Sequence, residues 1–224
     1  MTLQRHHCHY IGNILQSSHS QPGFLVGTEE FSAEIIISIL ISSTKTIPDQ
    51  ELLESATSAM RATTQKLFEA KCCDPFNAIC DTDVRRMIEF GSINPEANVR
   101  INMVQIIGNL GAMSTLPKVG QNLAQCSHIF AQFLLDAASK DEDIRVVAEA
   151  LDKIFDMFAE DYTDELCVRV NLVSQLKKIL PTLKIKIGLV KKGKRQEVEQ
   201  CFLPVVNIAK TNLNRFIKYK ESSK

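Results

Sequence analysis

The densest group of chemically capable side chains is His6, His7, Cys8 and His9. Imidazole and thiolate ligate zinc, and Cys72 or Cys73 would have to complete such a site. Four consecutive residues on a helix point in different directions, so the run reads as a solvated terminus and no metal or cofactor is expected. The adjacent Cys72–Cys73 pair reads as a packing or surface feature. No P-loop, G-x-G-x-x-G, G-x-S-x-G, H-E-x-x-H or paired C-x-x-C occurs, so the chain is not read as an enzyme.

Two charged groups remain. Arg145, Glu149, Asp152 and Asp156 recur at helical spacing and share one helix face. In curved helical repeats such a helix lines the concave side, where an acidic strip would suit a basic protein cargo and gain association rate and selectivity from charge. The same residues also fit a solvated face laced by Glu149 and Lys153 at i, i+4. Lys191, Lys192, Lys194 and Arg195 form a short basic patch of nuclear-localisation type in a loop between helices. It also fits an ordinary charged loop or an RNA-backbone contact, though too few aromatics accompany it for base stacking.

Formal net charge is zero, yet the charge is unevenly placed. Between Asp136 and Glu165 eleven acids face only Lys140, Arg145 and Lys153. From Lys177 onward thirteen Lys and Arg face Glu197, Glu199 and Glu221. One part can therefore attract basic partners and the other acidic ones.

These groups need helices to position them. A chain of 224 residues that is 45% hydrophobic has enough apolar material for a core without disulfides or metal staples. Nine Gly, seven Pro, 6% aromatics and no Trp argue against a turn-rich sandwich or barrel. Seven cysteines, an odd number lying mostly in apolar helical patterns, read as reduced, buried thiols. With no Asn-x-Ser/Thr sequon and no signal-peptide pattern, they suggest a cytoplasmic or nuclear protein. The apolar run Ile35 to Ile41 falls far short of the ~20 residues a membrane span requires.

Residues 1–30, with Ser17 to Gly23 of linker composition, are expected to be poorly ordered, and 31–224 to be repeats. After Pro48, helical spacing links Leu52, Ala56, Ala59, Met60, Thr63 and Leu67. Asn94 as N-cap and Pro95 behind it open a helix carrying Val99, Met103, Ile106, Ile107 and Leu110, ending near Gly111 or Met113. A stripe follows from Leu123 to Ala138. Ser139 and Glu142 suggest a capping box before Ile144, Val147, Leu151 and Phe155. Thr163 starts a helix through Leu180 that Pro181 bends or stops, and a last helix spans about 196–219. Short connections make consecutive helices pack antiparallel as hairpins.

Two helices open alike, Asn98-Val99-Arg100 and Asp143-Ile144-Arg145, with the arginines 45 residues apart. That spacing lies within the ~40 to 47 residues of HEAT and armadillo units, and predicts an all-α solenoid of helical hairpins. The arginine can reach across to an acid or a carbonyl of the next repeat.

A closer resemblance covers Asn94 to the C-terminus. The stretch from Glu149 to Asp161 resembles the penultimate repeat of the HEAT-repeat-containing protein 3 and symportin family, and Leu180 to Ile187 and Asn207 to Tyr219 resemble its C-terminal end. Family members are much longer, with armadillo repeats upstream, so the likeness is to their C-terminal portion. It implies an adaptor of nuclear import and large-subunit ribosome assembly, shared between cytoplasm and nucleus. The implied partners are basic, 5S-rRNA-binding ribosomal proteins and a karyopherin, with neither membrane nor direct nucleic-acid binding. The alternative is a structural end-cap, or a general interaction scaffold, of a longer solenoid.

Overall fold

The computed structural model describes residues 50–73, 76, 79–159 and 163–189, together with 211, 214 and 218. The expected N-terminal segment 1–30, the His6–His9 run, the patch Lys191–Arg195 and all but three helical positions of the last expected helix lie outside the described residues.

Among the described residues there are eight helices and no strand: α1 Gln50–Glu69, α2 Asp81–Ile93, α3 Ala97–Ser114, α4 Gln121–Gln125, α5 Ser127–Lys140, α6 Ile144–Met157, α7 Asp164–Arg169 and α8 Leu172–Leu189. They stack in two layers. Helices α1, α3 and α6 lie side by side in one layer, and α2, α5 and α8 in the other, with the hairpins α2–α3 and α5–α6 joining the layers. This is the solenoid of antiparallel hairpins that the 45-residue spacing predicts.

Each helix buries a stripe of the period a 3.6-residue turn requires. In α6 the stripe is Val146, Val147, Ala150, Leu151, Ile154 and Met157. Helix α3 sits at the centre and buries residues on nearly every side, from Val99 to Ser114. In α1 the buried line runs Leu53, Thr57, Met60, Thr64 and Leu67. The expected Met60, Thr63 and Leu67 are buried, while Ala56 and Ala59 are only half-buried; in their place Thr57 and Thr64 are buried, donating to helix carbonyls, Thr57 to Leu53 at 2.8 Å and Thr64 to Arg61 at 3.0 Å.

Several boundaries also differ from expectation. Glu96 is the N-cap residue of α3; Asn94 stands two residues earlier, where its Oδ1 accepts from the Glu96 amide at 3.0 Å in an Asx turn. The Ser139–Glu142 box does not form. Ser139 Oγ donates instead to the Asp136 carbonyl, and Asp143 caps α6 by accepting from the Arg145 amide at 2.9 Å. The stripe from Leu123 to Ala138 is broken at Cys126 into α4 and α5. The expected helix from Thr163 to Leu180 is broken at Asn171, whose φ of 49° is the left-handed conformation that ends helices and that Asn tolerates best after Gly. Pro181 does not stop α8, which runs on to Leu189. Helix α2, which the sequence reading passes over, opens with Asp81 and Asp83 and buries Val84, Met87 and Gly91.

The two junctions within the α1–α3–α6 layer differ in chemistry. Between α1 and α3 a polar ladder runs beside the buried Leu53, Met60 and Leu67: Asn102 Nδ2 donates to Thr57 Oγ1 at 3.1 Å, Asn109 Nδ2 to Thr64 Oγ1 at 3.3 Å, Arg61 to Gln105 Oε1 at 3.2 Å and Asn98 to Glu54 Oε1 at 3.0 Å. These pairs are separated by 45, 45, 44 and 44 residues, so the repeat period is written in them. Between α3 and α6 the packing is close and mostly carbon on carbon. A Cβ placed on Gly108 would stand 2.5 Å from Lys153 Cβ, and one on Gly111 would stand 3.1 Å from Met157 Sδ. Only glycine at 108 lets the two backbones approach so closely.

Candidate functional site

Arg100, near the start of α3, reaches out of its own repeat. Its Nε and Nη2 donate to the two Asp141 carboxylate oxygens at 2.9 and 3.0 Å, while Nη1 donates to the Asn94 and Pro95 carbonyls at 3.0 and 2.9 Å. The pair is largely enclosed, with side chains 15% and 12% exposed. The hydrogen bond to Asp141 raises the guanidinium pKa further, against the opposing effect of burial. Asp141 Oδ1 also accepts from the Asp143 amide at 2.8 Å, so the ion pair fixes the turn from which α6 starts. The sequence expectation of an arginine reaching the next repeat therefore holds at Arg100.

It does not hold at Arg145. That side chain folds back onto Asp143, its own N-cap, with bonds of 3.1 and 2.7 Å. The Arg145 bond is the chief cause of a lowered Asp143 pKa. Arg145 thus stands at the head of the expected acidic strip but is committed to capping.

The four expected strip residues, Arg145, Glu149, Asp152 and Asp156, do lie along one side of α6. Arg145, Asp152 and Asp156 are exposed and Glu149 is half-buried, opposite the buried line through Val147 and Leu151. The expected Glu149–Lys153 pair does not form. Lys153 lays its stem across Gly108, is only 7% exposed, and turns its Nζ to Asp156 Oδ2 at 2.9 Å. Among the described residues neither Glu149 nor Asp152 has a hydrogen bond or an ion pair. The Asp152 pKa is raised, first by desolvation and then by the Asp156 charge, with Lys153 opposing. Desolvation raises it although the residue as a whole is exposed.

Asp152 falls 44 residues after Gly108, the step that separates Arg61 from Gln105. Its neighbour Lys153, 45 residues after Gly108, is the residue that packs on that glycine.

A separate cleft of about 290 Å³ opens between α2 and α5, with a floor of Val104, Phe133 and Val146. Its rim charges are paired with each other, Arg100 with Asp141 and Lys140 with Asp136 at 3.1 Å. No group of three or more His, Cys, Asp or Glu side chains able to hold a metal occurs among the described residues, and no helix there is long and apolar enough to cross a membrane. Cys73, Cys126 and Cys167 are buried, Cys72 is half-buried and Cys80 is exposed, all as thiols outside any disulfide. Burial is the main cause of a raised Cys126 pKa.

The repeat family described as "SYO1-like, TPR repeats" matches residues 2–224. The chain belongs to this family. Among curated proteins, the SYO1-like chain is 34% identical to HEAT repeat-containing protein 3 of Mus musculus and 31% identical to its Homo sapiens counterpart, each over 194 residues. The match covers 85% of this chain and 27% of either relative's length. The family description names TPR repeats, whose period is ~34 residues; the pairs spaced 44 and 45 residues apart instead carry the HEAT-type period. The SYO1-like fold is thus a helical repeat array of the class that binds other proteins along its surface.

The sequence reading missed Gly108 and Asp141, and it paired Lys153 with Glu149 where the structure pairs it with Asp156. A pair of glycines three apart in an otherwise strong helix, Gly108 and Gly111, was the available signal for close helix approach.

Proposed function

We propose that this SYO1-like chain is a non-enzymatic adaptor segment whose α6 strip receives a basic polypeptide. The observation that carries the reading is the pair of unpartnered carboxylates, Glu149 and Asp152, the latter with a pKa raised by its surroundings. A carboxylate whose charge is disfavoured where it stands gains from an incoming Lys or Arg. The resemblance narrows the cargo to newly made ribosomal proteins that bind 5S rRNA, escorted with a karyopherin between cytoplasm and nucleus for large-subunit assembly. Lys191, Lys192, Lys194 and Arg195 then serve as an import signal. Mass spectrometry of proteins co-purified with the tagged chain at low salt tests this. Enrichment of 5S-binding ribosomal proteins, weakened as salt rises, supports it; their absence removes the cargo assignment.

One observation favours a second reading, that α6 is a stacking edge within a longer array. Asp152 is adjacent to Lys153, the residue one 45-residue repeat after Gly108, where α3 receives α6. On that reading the acids line a junction, and reversing their charge alters stability while leaving cargo capture unchanged.

A further inference from the structure

Resting on the reading of α6 as the receptor of a basic polypeptide, we propose that α6 reads three charges in order. Arg145 takes an acidic side chain of the guest, Glu149 and Asp152 take basic ones, and one guest α-helix presents all three.

The two arginines one repeat apart use the same edge of the guanidinium and differ at the other. In Arg100, Nε and Nη2 hold Asp141 while Nη1 donates to the Asn94 and Pro95 carbonyls, so all three nitrogens are engaged and the side chain is 15% exposed. In Arg145, Nε and Nη2 hold Asp143, but Nη1 makes no hydrogen bond among the described residues and the side chain is 58% exposed. The acid of the next repeat that Arg100 finds in Asp141 has no counterpart for Arg145. One 45-residue step after Asp141 stands Lys186, and no Asp or Glu occurs between Glu165 and Glu197. An exposed guanidinium with free donors is suited to a carboxylate from outside the chain.

Along α6 the open groups therefore follow as one cation and two anions, Arg145, Glu149 and Asp152; Asp156 is already paired with Lys153 at 2.9 Å. Steps of four and three residues rise about 6.0 and 4.5 Å along a helix. A second helix alongside offers an acid and two bases at the same intervals, whereas alternate residues of an extended strand stand about 6.6 Å apart and lose the match by the third charge. A guest shifted by one group sets like charges against each other, so the order fixes register as well as attraction.

Fluorescence anisotropy at low salt, with labelled alanine-rich helical peptides of about 20 residues, tests the order on the full chain. Peptides carrying Glu, Lys and Lys at matching intervals, in either chain direction, are compared with one in which Glu and the first Lys are exchanged. The wild type should hold the better of the ordered peptides at least about threefold more tightly than the exchanged one. R145E should lose that preference and bind a peptide with Lys at all three positions at least about threefold more tightly than the wild type does. If circular dichroism shows R145E unfolded, R145Q carries the comparison, with loss of the preference expected. Equal affinity for ordered and exchanged peptides, with binding still abolished by E149Q/D152N, overturns the charge order and leaves the basic-guest reading standing. A folded Arg145 variant that keeps the wild-type preference also overturns it. Failure of every lysine-bearing peptide to bind overturns both.

Discussion

The α1–α3 and α3–α6 junctions join equivalent helices one repeat apart, yet one adds a ladder of Thr, Asn and Gln to its apolar contacts and the other sets glycine against a lysine stem. In this array the period of contact recurs while its chemistry does not. The 44- and 45-residue steps recur in both, from Arg61–Gln105 to Gly108–Lys153. A ladder of hydrogen bonds fixes register, since one residue of slip unpairs every member, but it adds little net stability. Close packing at Gly108 adds stability and rigidity and lets Lys153 deliver its ammonium to Asp156. The rigid junction thus supports α6, the helix that carries the free carboxylates.

The largest effect is expected from Arg100→Ala. It leaves Asp141 enclosed without its cation, and should cost about 3 kcal/mol in denaturant unfolding; a loss below about 1 kcal/mol would mean the clamp adds little. Arg100→Lys should recover only part, because an ammonium cannot reproduce the two parallel bonds.

Next comes Gly108→Ala. In an ordinary helix interior this exchange stabilises by about 1 kcal/mol. Here the new methyl meets Lys153 Cβ, which cannot swing away as a side-chain tip could, so a net loss of about 1–3 kcal/mol is expected. A gain in melting temperature would show that the junction is looser than described.

At the polar junction, the two members of one pair should differ. Thr64→Val strands the buried Asn109 amide and should cost about 1–2 kcal/mol, while Asn109→Leu removes a group already short one partner and should cost less than about 0.5 kcal/mol. Equal costs in a thermal-unfolding comparison would contradict the assignment of Asn109 Oδ1 as unsatisfied.

The smallest effects separate by pH. Asp143 has a lowered folded pKa, so its contribution is present above the unfolded carboxylate value and is lost as pH falls through the folded one. Asp152 has a raised folded pKa, so its charge opposes folding at neutral pH and the penalty is relieved as protonation begins on acidification. Asp143→Asn should therefore lower, and Asp152→Asn raise, the neutral-pH melting temperature, with both differences shrinking in acid. Melting curves at neutral and acid pH give both signs.

How much of this was legible in the sequence depends on which force set each feature. The hairpin period could be read from Arg100 and Arg145 because both open helices and hydropathy follows them. Their roles could not, since capping by Asp143 and clamping by Asp141 differ only in which acid is within reach. Threonines and asparagines buried between α1 and α3 carry no hydropathy signal, so Met60, Thr63 and Leu67 were placed on the buried face of α1 but Thr57 and Thr64 were not. The Asn171 break depends on a single left-handed residue inside an otherwise continuous apolar pattern. The acidic strip was legible as a face; that Lys153 would leave Glu149 for Asp156 was not, because its path is set by Gly108 on another helix.

The most direct test is the affinity of the chain for a basic, 5S-binding ribosomal protein, before and after E149K/D152K/D156K, measured by fluorescence anisotropy at low and high salt. A strip that receives a basic guest predicts binding that weakens at least about tenfold on charge reversal and loses most of its salt dependence. Unchanged affinity in a variant that remains folded would contradict it and leave α6 as a stacking edge.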